Sequence, residues 1–342
     1  MAKRTIKSGD NQLISEHLQV DGSFVEIENE KFYKISNYHQ MPDFFMSIVS
    51  DSDHFMFISS NGSLTAGRKN KNNALFPYYT VDKIHDYRDR TGSKTYLLVT
   101  KGDDTFLWEP FTKESAHTYA LERNVYKSVY GNKLIFEEIN TQLGLGFGYG
   151  WYNSDKYGFI KKSWIRNLED QQASIEVLDG FRNILPSGAD YAFQNEYSNL
   201  LDAYKKNELV HPTTLAIYSL SSIPVDRPEP SEALRATTVW SSGAAEGAAV
   251  LLSDHQVQQF ITGEGIHPET DVRASRGAYF MHQAFNLPSK GEKNWFFAAE
   301  VNQDSKDVAN LLLELRSNAK IGDSINADIR QGTEKLKQII GT

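Results

Sequence analysis

The residues best suited to chemistry lie between Thr65 and Ile84. The segment reads Thr-Ala-Gly-Arg-Lys-Asn-Lys-Asn-Asn-Ala-Leu-Phe-Pro-Tyr-Tyr-Thr-Val-Asp-Lys-Ile. Arg68, Lys69 and Lys71 supply cations, three asparagines supply planar amides, and Tyr78 and Tyr79 supply rings. Such groups suit sugar hydroxyls and sugar faces, and the cations suit phosphate. The plain alternative is a long solvated loop crossing a sheet edge. Trp108, Trp151, Trp164 and Trp240 are further candidate sugar platforms, although alternating strand positions also place tryptophan in cores. Arg68, Lys69, Tyr78, Tyr79 and Trp108 form the candidate substrate-binding set.

No catalytic residue is singled out. There is no G-x-S-x-G elbow and no phosphate-binding loop. The nine histidines show no metal-ligand spacing, so no metal site is assigned. Asp51-Ser52-Asp53 opens like a calcium loop, but the matching glycine and closing glutamate are missing, and a turn is the better reading. Glu109, in Leu-Trp-Glu-Pro-Phe, would have its pKa raised if buried among its bulky neighbours; the bland reading is a strand-end residue satisfied by backbone donors. No cofactor is implied by any of these residues.

Bulk properties narrow the class. The chain has 342 residues, 40% hydrophobic and 23% charged, enough for one very large domain or two ordinary ones. A net charge of −8 disfavours a nonspecific nucleic-acid binder. With no cysteine there is no disulfide and no thiol nucleophile. The N-terminus lacks a signal-peptide core and no apolar run reaches membrane-spanning length, so a soluble cytoplasmic protein is expected, with no membrane partner.

The elements that must hold the candidate residues read as β. Short apolar runs at 24–27, 32–35 and 44–49 alternate with turns, after a lead-in with a short helix near Leu13 to Leu18. Hairpins are signalled by Asn61-Gly62, by Lys101-Gly-Asp-Asp104 and by Gly131-Asn132. From Leu143 to Trp151, glycines alternate with Leu, Phe, Tyr and Trp, which gives a strand one bare face and one large apolar face. The bare face admits another backbone, a ring or a ligand. Further strands are expected at 159–167, 174–177, 215–222, 233–241, 248–252, 278–285 and 295–301, with a short helical turn at 254–261. Ile223-Pro-Val-Asp-Arg-Pro-Glu-Pro230 reads as a rigid link.

Two regions depart from this rhythm. Ala189, Phe193, Tyr197, Leu200, Leu201 and Tyr204 share one helical face, with Ser187 as cap, predicting an inserted helix over 187–206. After residue 302, Val308, Leu311, Leu312 and Leu315 predict a helix capped by Asp304, and Ile325 to Ile340 predict another, interrupted at Gly332. Such faces must be buried on the sandwich or on something beyond it. The expected division is a β-sandwich over 1–302 and a helical linker over 303–342.

Three long strings stand out: Val177-Leu-Asp-Gly-Phe-Arg-Asn-Ile-Leu-Pro186, Asn195-Glu-Tyr-Ser-Asn-Leu-Leu-Asp-Ala-Tyr-Lys-Lys-Asn-Glu-Leu209 and Pro230-Ser-Glu-Ala-Leu-Arg-Ala-Thr-Thr-Val-Trp240. Together they resemble the N-terminal part of the cellobiose phosphorylase family. The block at 67–80 is similar to the 1,2-β-oligoglucan phosphorylase branch. The resemblance implies a mainly β fold, a large antiparallel two-sheet β-sandwich of the galactose-mutarotase-like supersandwich kind. It also implies helices leading into an (α/α)6 barrel beyond this chain, with Gln331–Ile340 as the helix entering it. Such enzymes are inverting phosphorylases: a barrel Asp is the general acid, and inorganic phosphate is co-substrate. No position here matches that Asp, so no catalytic role carries over. The implied partners are a β-glucooligosaccharide, the C-terminal catalytic barrel and a second copy in a homodimer. The alternatives are a stand-alone glycan-binding module and a mutarotase-like epimerase, the latter needing a histidine beside a carboxylate on one sheet face.

Overall fold

The computed structural model describes residues 6–8, 11–14, 17–79, 81–196, 198–222 and 233–341. The fold is mainly β, with large antiparallel sheets. An eleven-stranded sheet runs, in spatial order, through Asp271–Arg273, Lys205–Leu209, Ala216–Leu220, Ala236–Ser242, Glu292–Gln303, Gly158–Asn167, Leu145–Ser154, Lys133–Asn140, Leu121–Ser128, Glu30–Ser36 and Asp21–Ile27. A five-stranded sheet is ordered Asp104–Trp108, Gly92–Lys101, Ala173–Ile184, Gly277–Leu287 and Ala249–Leu251. A four-stranded sheet is ordered Phe45–Ile48, His54–Ser59, Leu64–Arg68 and Ala74–Phe76.

One core joins all three sheets. Phe136, Phe147, Trp151, Phe159 and Phe297 come from the eleven-stranded sheet. Val99, Val177, Phe181 and Met281 come from the five-stranded sheet, and Met56, Ile58, Leu64 and Phe76 from the four-stranded one. The smaller sheets thus form the second layer of a sandwich over the large one. The three expected hairpins pair in register, with Phe57 opposite Thr65, Phe106 opposite Val99 and Tyr126 opposite Ile135.

The glycine-alternating strand works by close approach. Leu145, Phe147, Tyr149 and Trp151 are buried in the core. On the bare face the Trp164 ring lies over Gly148, where a Cβ would come within 2.3 Å of it, and the Tyr152 ring lies beside Gly150. Gly146 has open space above it.

The helical expectations need four corrections. Within the 187–206 stretch helix is described over Tyr191–Glu196 and Ser198–Asp202, so it starts later than Ser187, and Lys205 already begins a strand. Asp190, not Ser187, takes the capping role, accepting from Phe193 N at 2.8 Å. The stretch still buries Ala189 and Leu201 in a small separate core with Leu185 and Leu220. The helix Ile321–Ile340 runs unbroken through Gly332, whose missing side chain lets Asp51 approach; a Cβ there would be 2.9 Å from Asp51 Oδ1. No helix forms at Leu13, Ile14, His17 or Leu18, and instead Lys7–Ser8 pairs with Asn11–Gln12.

Asp304 caps the helix Ser305–Ser317 through a full capping box. Both C-terminal helices bury their apolar faces on the outer side of the large sheet. Ile321, Ile325 and Ile329 pack with Ile160, Trp240 and Ala298, and Val308, Leu311, Leu312 and Leu315 pack against the same cluster. Tyr197 and the 223–230 link fall outside the described residues. Among the described residues no helix is long and apolar enough to cross a membrane.

Candidate functional site

Arg68 ends its strand and its guanidinium is fully engaged by protein. Nε meets Asp53 Oδ1 at 2.6 Å, Nη1 meets Glu300 Oε2 at 2.6 Å and Nη2 meets Asp155 Oδ1 at 3.2 Å. These contacts tie the four-stranded sheet to the large sheet, so Arg68 is a clamp. Asp53 is therefore one arm of that clamp rather than part of a calcium loop, and among the described residues no group of three or more His, Asp or Glu could hold a metal ion. Burial pushes the Glu300 carboxyl up to about 7 despite Arg68. His54, opposite Arg68 in the hairpin, is held down at about 4 by burial first and by Arg68 second.

The two shifts act in opposite directions on stability. A histidine depressed in the fold contributes stability that is full above its unfolded pKa and is lost as pH falls toward 4. A carboxyl raised in the fold contributes stability that is full below its unfolded pKa and is lost as pH rises through 7. Between pH 5 and 8 they offset each other. Glu300→Gln removes one slope and keeps the other. Urea unfolding should then show the gain in stability from pH 5 to pH 8 exceeding the wild-type gain by about 2–3 kcal/mol. Parallel pH profiles for the two proteins would contradict the assignment.

The rest of the loop divides between structure and surface. Lys69 sits in a left-handed turn at φ 65°, with its side chain exposed. Asn72 Oδ1 accepts from Tyr191 N at 3.3 Å, tying the loop to the Tyr191–Glu196 helix. Lys71 Nζ lies 3.9 Å from the centre of the Tyr191 ring. Tyr79 stacks on Tyr87 at 3.7 Å, and burial pushes its phenol up to about 12. Tyr78 goes elsewhere, edge-on between Phe55 and Tyr191, 6.1 and 6.0 Å away.

Tyr78 belongs to an aromatic row on the outer face of the four-stranded sheet. Phe45 stacks on Phe57 at 5.6 Å, Phe57 neighbours Phe55 at 6.1 Å, and Tyr78, Tyr191 and Lys71 continue the line. Met56 and Ile58 point into the core, so Phe55 and Phe57 must point outward. Gly67 gives Phe55 its place, since a Cβ there would be 2.6 Å from the ring. None of the five rings is buried. The signal for this site was in His-Phe-Met-Phe-Ile at 54–58: both outward positions of a half-buried strand hold Phe where polar residues are usual.

Trp108 is corrected as a sugar platform. It is fully buried, and its indole N–H donates to Glu138 Oε1 at 2.6 Å. Glu138 also accepts from Phe111 N at 2.7 Å and from Arg123 Nε at 2.5 Å, so the tryptophan anchors the loop that follows it. Trp151 and Trp240 are buried too. Glu109 faces Lys94, with 3.4 Å between Oε2 and Nζ. A histidine–carboxylate pair does occur: His282 Nε2 lies 3.5 Å from Glu176 Oε2 on the outer face of the five-stranded sheet, with its ring against Phe260.

No family model matches the chain, and no curated protein matches it. Among solved structures it is similar to a bacterial glucoamylase complexed with acarbose, at 10% identity and a TM-score of 0.46, covering 94% of this chain and 40% of that one. It is also similar to a putative kojibiose phosphorylase from the human microbiome, at 10% identity and a TM-score of 0.34, covering 73% and 28%. A galactose mutarotase-like protein from Clostridium acetobutylicum matches at 10% identity and a TM-score of 0.36, covering 83% and 99%. The chain thus spans well under half of the glucoamylase and of the phosphorylase, and likeness at this level carries no argument about chemistry.

Proposed function

We propose that this chain is a carbohydrate-binding and structural module, the N-terminal part of a cytoplasmic glycoside phosphorylase of the cellobiose phosphorylase family. The parent reaction is phosphorolysis of a β-glucoside or β-glucooligosaccharide to an α-sugar 1-phosphate, with inorganic phosphate as co-substrate and the chemistry in a C-terminal barrel. The branch acting on 1,2-β-oligoglucans is favoured by the 67–80 block. The observation that carries sugar binding is the row from Phe45 to Tyr191, flanked by Lys71. Flat apolar rings stack on the C–H faces of pyranoses, and adjacent polar groups take the hydroxyls. Lys69, exposed in the turn after the Leu64–Arg68 strand, is a further cation donor in this reading, and a homodimer is a further expectation for the parent.

Isothermal titration with β-1,2- and β-1,4-glucooligosaccharides tests the reading. Saturable heat is expected, weakened roughly tenfold by Tyr78→Ala, about what losing one ring contact costs. Absence of saturable binding to either series rules the row out as a glycan site. The His282–Glu176 pair gives an epimerase one favourable observation, and proton NMR of anomer interconversion with and without His282→Ala addresses it directly.

A further inference from the structure

Of the five tryptophans, four are buried and Trp164 alone is part-exposed. It sits on the outer face of the large sheet, away from the aromatic row and beyond the patch that the C-terminal helices cover. Its ring rests on Gly148, so the strand has given up a side chain to let an indole lie there. Its neighbour is Arg166, with the guanidinium carbon 5.8 Å from the ring centre.

The surroundings are polar and ordered. Strand register places Asn294, Trp164, Gly148, Glu137 and Asn124 in one line across five strands. Glu137 Oε2 accepts from Tyr126 Oη at 2.6 Å and from Asn124 Nδ2 at 3.0 Å, which fixes the carboxylate. Its Oε1 faces Arg166 Nη1 at 3.6 Å, beyond hydrogen-bond length, and is left as an acceptor. Arg166 Nε is taken by Glu292, while Nη1 and Nη2 make no hydrogen bond among the described residues. Above Gly146, beside Arg166, there is open space.

We infer that this line is a second glycan-binding site, taking a neutral oligosaccharide laid across the strands. The ring face offers stacking, Glu137 Oε1 accepts a hydroxyl, and the Arg166 Nη groups donate to others. Two carboxylates beside one guanidinium disfavour an anionic ligand. Neighbouring strands are about 4.8 Å apart, close to the length of one pyranose ring, so successive sugars would meet successive strands.

Tryptophan fluorescence of the full chain reads this site, because the other four indoles are buried. Titration with β-1,2- and β-1,4-glucooligosaccharides of increasing length should give a saturable emission change, with affinity rising with length. Glu137→Gln keeps the reporter and should weaken binding fivefold or more. Trp164→Phe should remove the signal. Tyr78→Ala, on the other surface, should leave the response within twofold, so this site can stand or fall apart from the row. The inference is overturned by no emission change, by a response that survives Trp164→Phe, or by a Glu137→Gln protein that melts like wild type and binds equally well.

Discussion

Asp179→Ala is expected to destabilise the fold by about 3–5 kcal/mol, the cost of leaving one member of a buried ion pair alone. Lys161 and Asp179 are both fully buried at the centre of the sandwich, with Nζ 2.6 Å from Oδ1. Lys161 comes from the large sheet and Asp179 from the five-stranded sheet, so the pair bridges the layers. Asp179 also accepts from Thr95 Oγ1 at 2.6 Å and from Trp295 Nε1 at 2.8 Å. The ammonium is ringed by Tyr149, Phe181 and Phe297, at 5.2, 5.7 and 5.2 Å.

Burial pushes the Lys161 pKa down, and Asp179 opposes that. Without the aspartate, a cation remains among three rings or loses its proton, and two neutral donors lose their acceptor. Lys161→Met should cost less, because Asp179 keeps Thr95 and Trp295. The double replacement Lys161→Met with Asp179→Leu should be less destabilised than Asp179→Ala alone, since no buried charge is left. Urea denaturation of Lys161→Met, of Asp179→Leu and of their double replacement, analysed as a cycle, should give a coupling of at least about 1–2 kcal/mol. Additive costs would mean that the pair does not act as a unit.

This pair marks a limit of reading the sequence. In Phe-Ile-Lys-Lys-Ser-Trp at 159–164, alternation suggests surface lysines, yet Lys161 is on the core face because the register puts it with Phe159 and Ser163. Hairpins and the two C-terminal helices were legible because turn chemistry, caps and apolar period act locally. Arg68 was legible as a cation but not as a clamp: its partner Glu300 is 232 positions away. Trp108 was misread for the same reason, since Glu138 thirty positions on takes its N–H. The inserted helix was overextended because Lys205 and Lys206 suit a helix end, and only pairing with Leu220 and Ser219 reveals the strand. Of the candidate site, Tyr78 was named, while Phe55, Phe57 and Tyr191 were not. Their grouping depends on sheet register and on a helix docked from far along the chain.

Glycine spacing supplies the second large effect. Gly180→Ala should cost about 3 kcal/mol or more, the upper end for forcing atoms into a packed core. Gly180 lies opposite Phe280 in the middle of the five-stranded sheet. An added Cβ would fall 1.8 Å from Tyr279 O and 2.9 Å from Phe280 Cα, both backbone atoms held by pairing on each side. A rotamer change cannot relieve that contact; the strands must part. Gly148→Ala meets the Trp164 ring at 2.3 Å but also Phe136 O at 2.9 Å, so part of its strain can be relieved by lifting a part-exposed indole. Gly146→Ala meets nothing within 4 Å. Removing the flexibility of a strand glycine is itself favourable by a few tenths of a kcal/mol, so Gly146→Ala should be neutral or slightly stabilising. Thermal melts of the three proteins should therefore rank Gly180→Ala lowest, Gly148→Ala between and Gly146→Ala highest. Three equal shifts would show that strand propensity, not close approach, governs these positions. The order also bears on the large-sheet site: a Gly148→Ala protein that folds but has lifted its indole should lose the fluorescence response while keeping Glu137 in place.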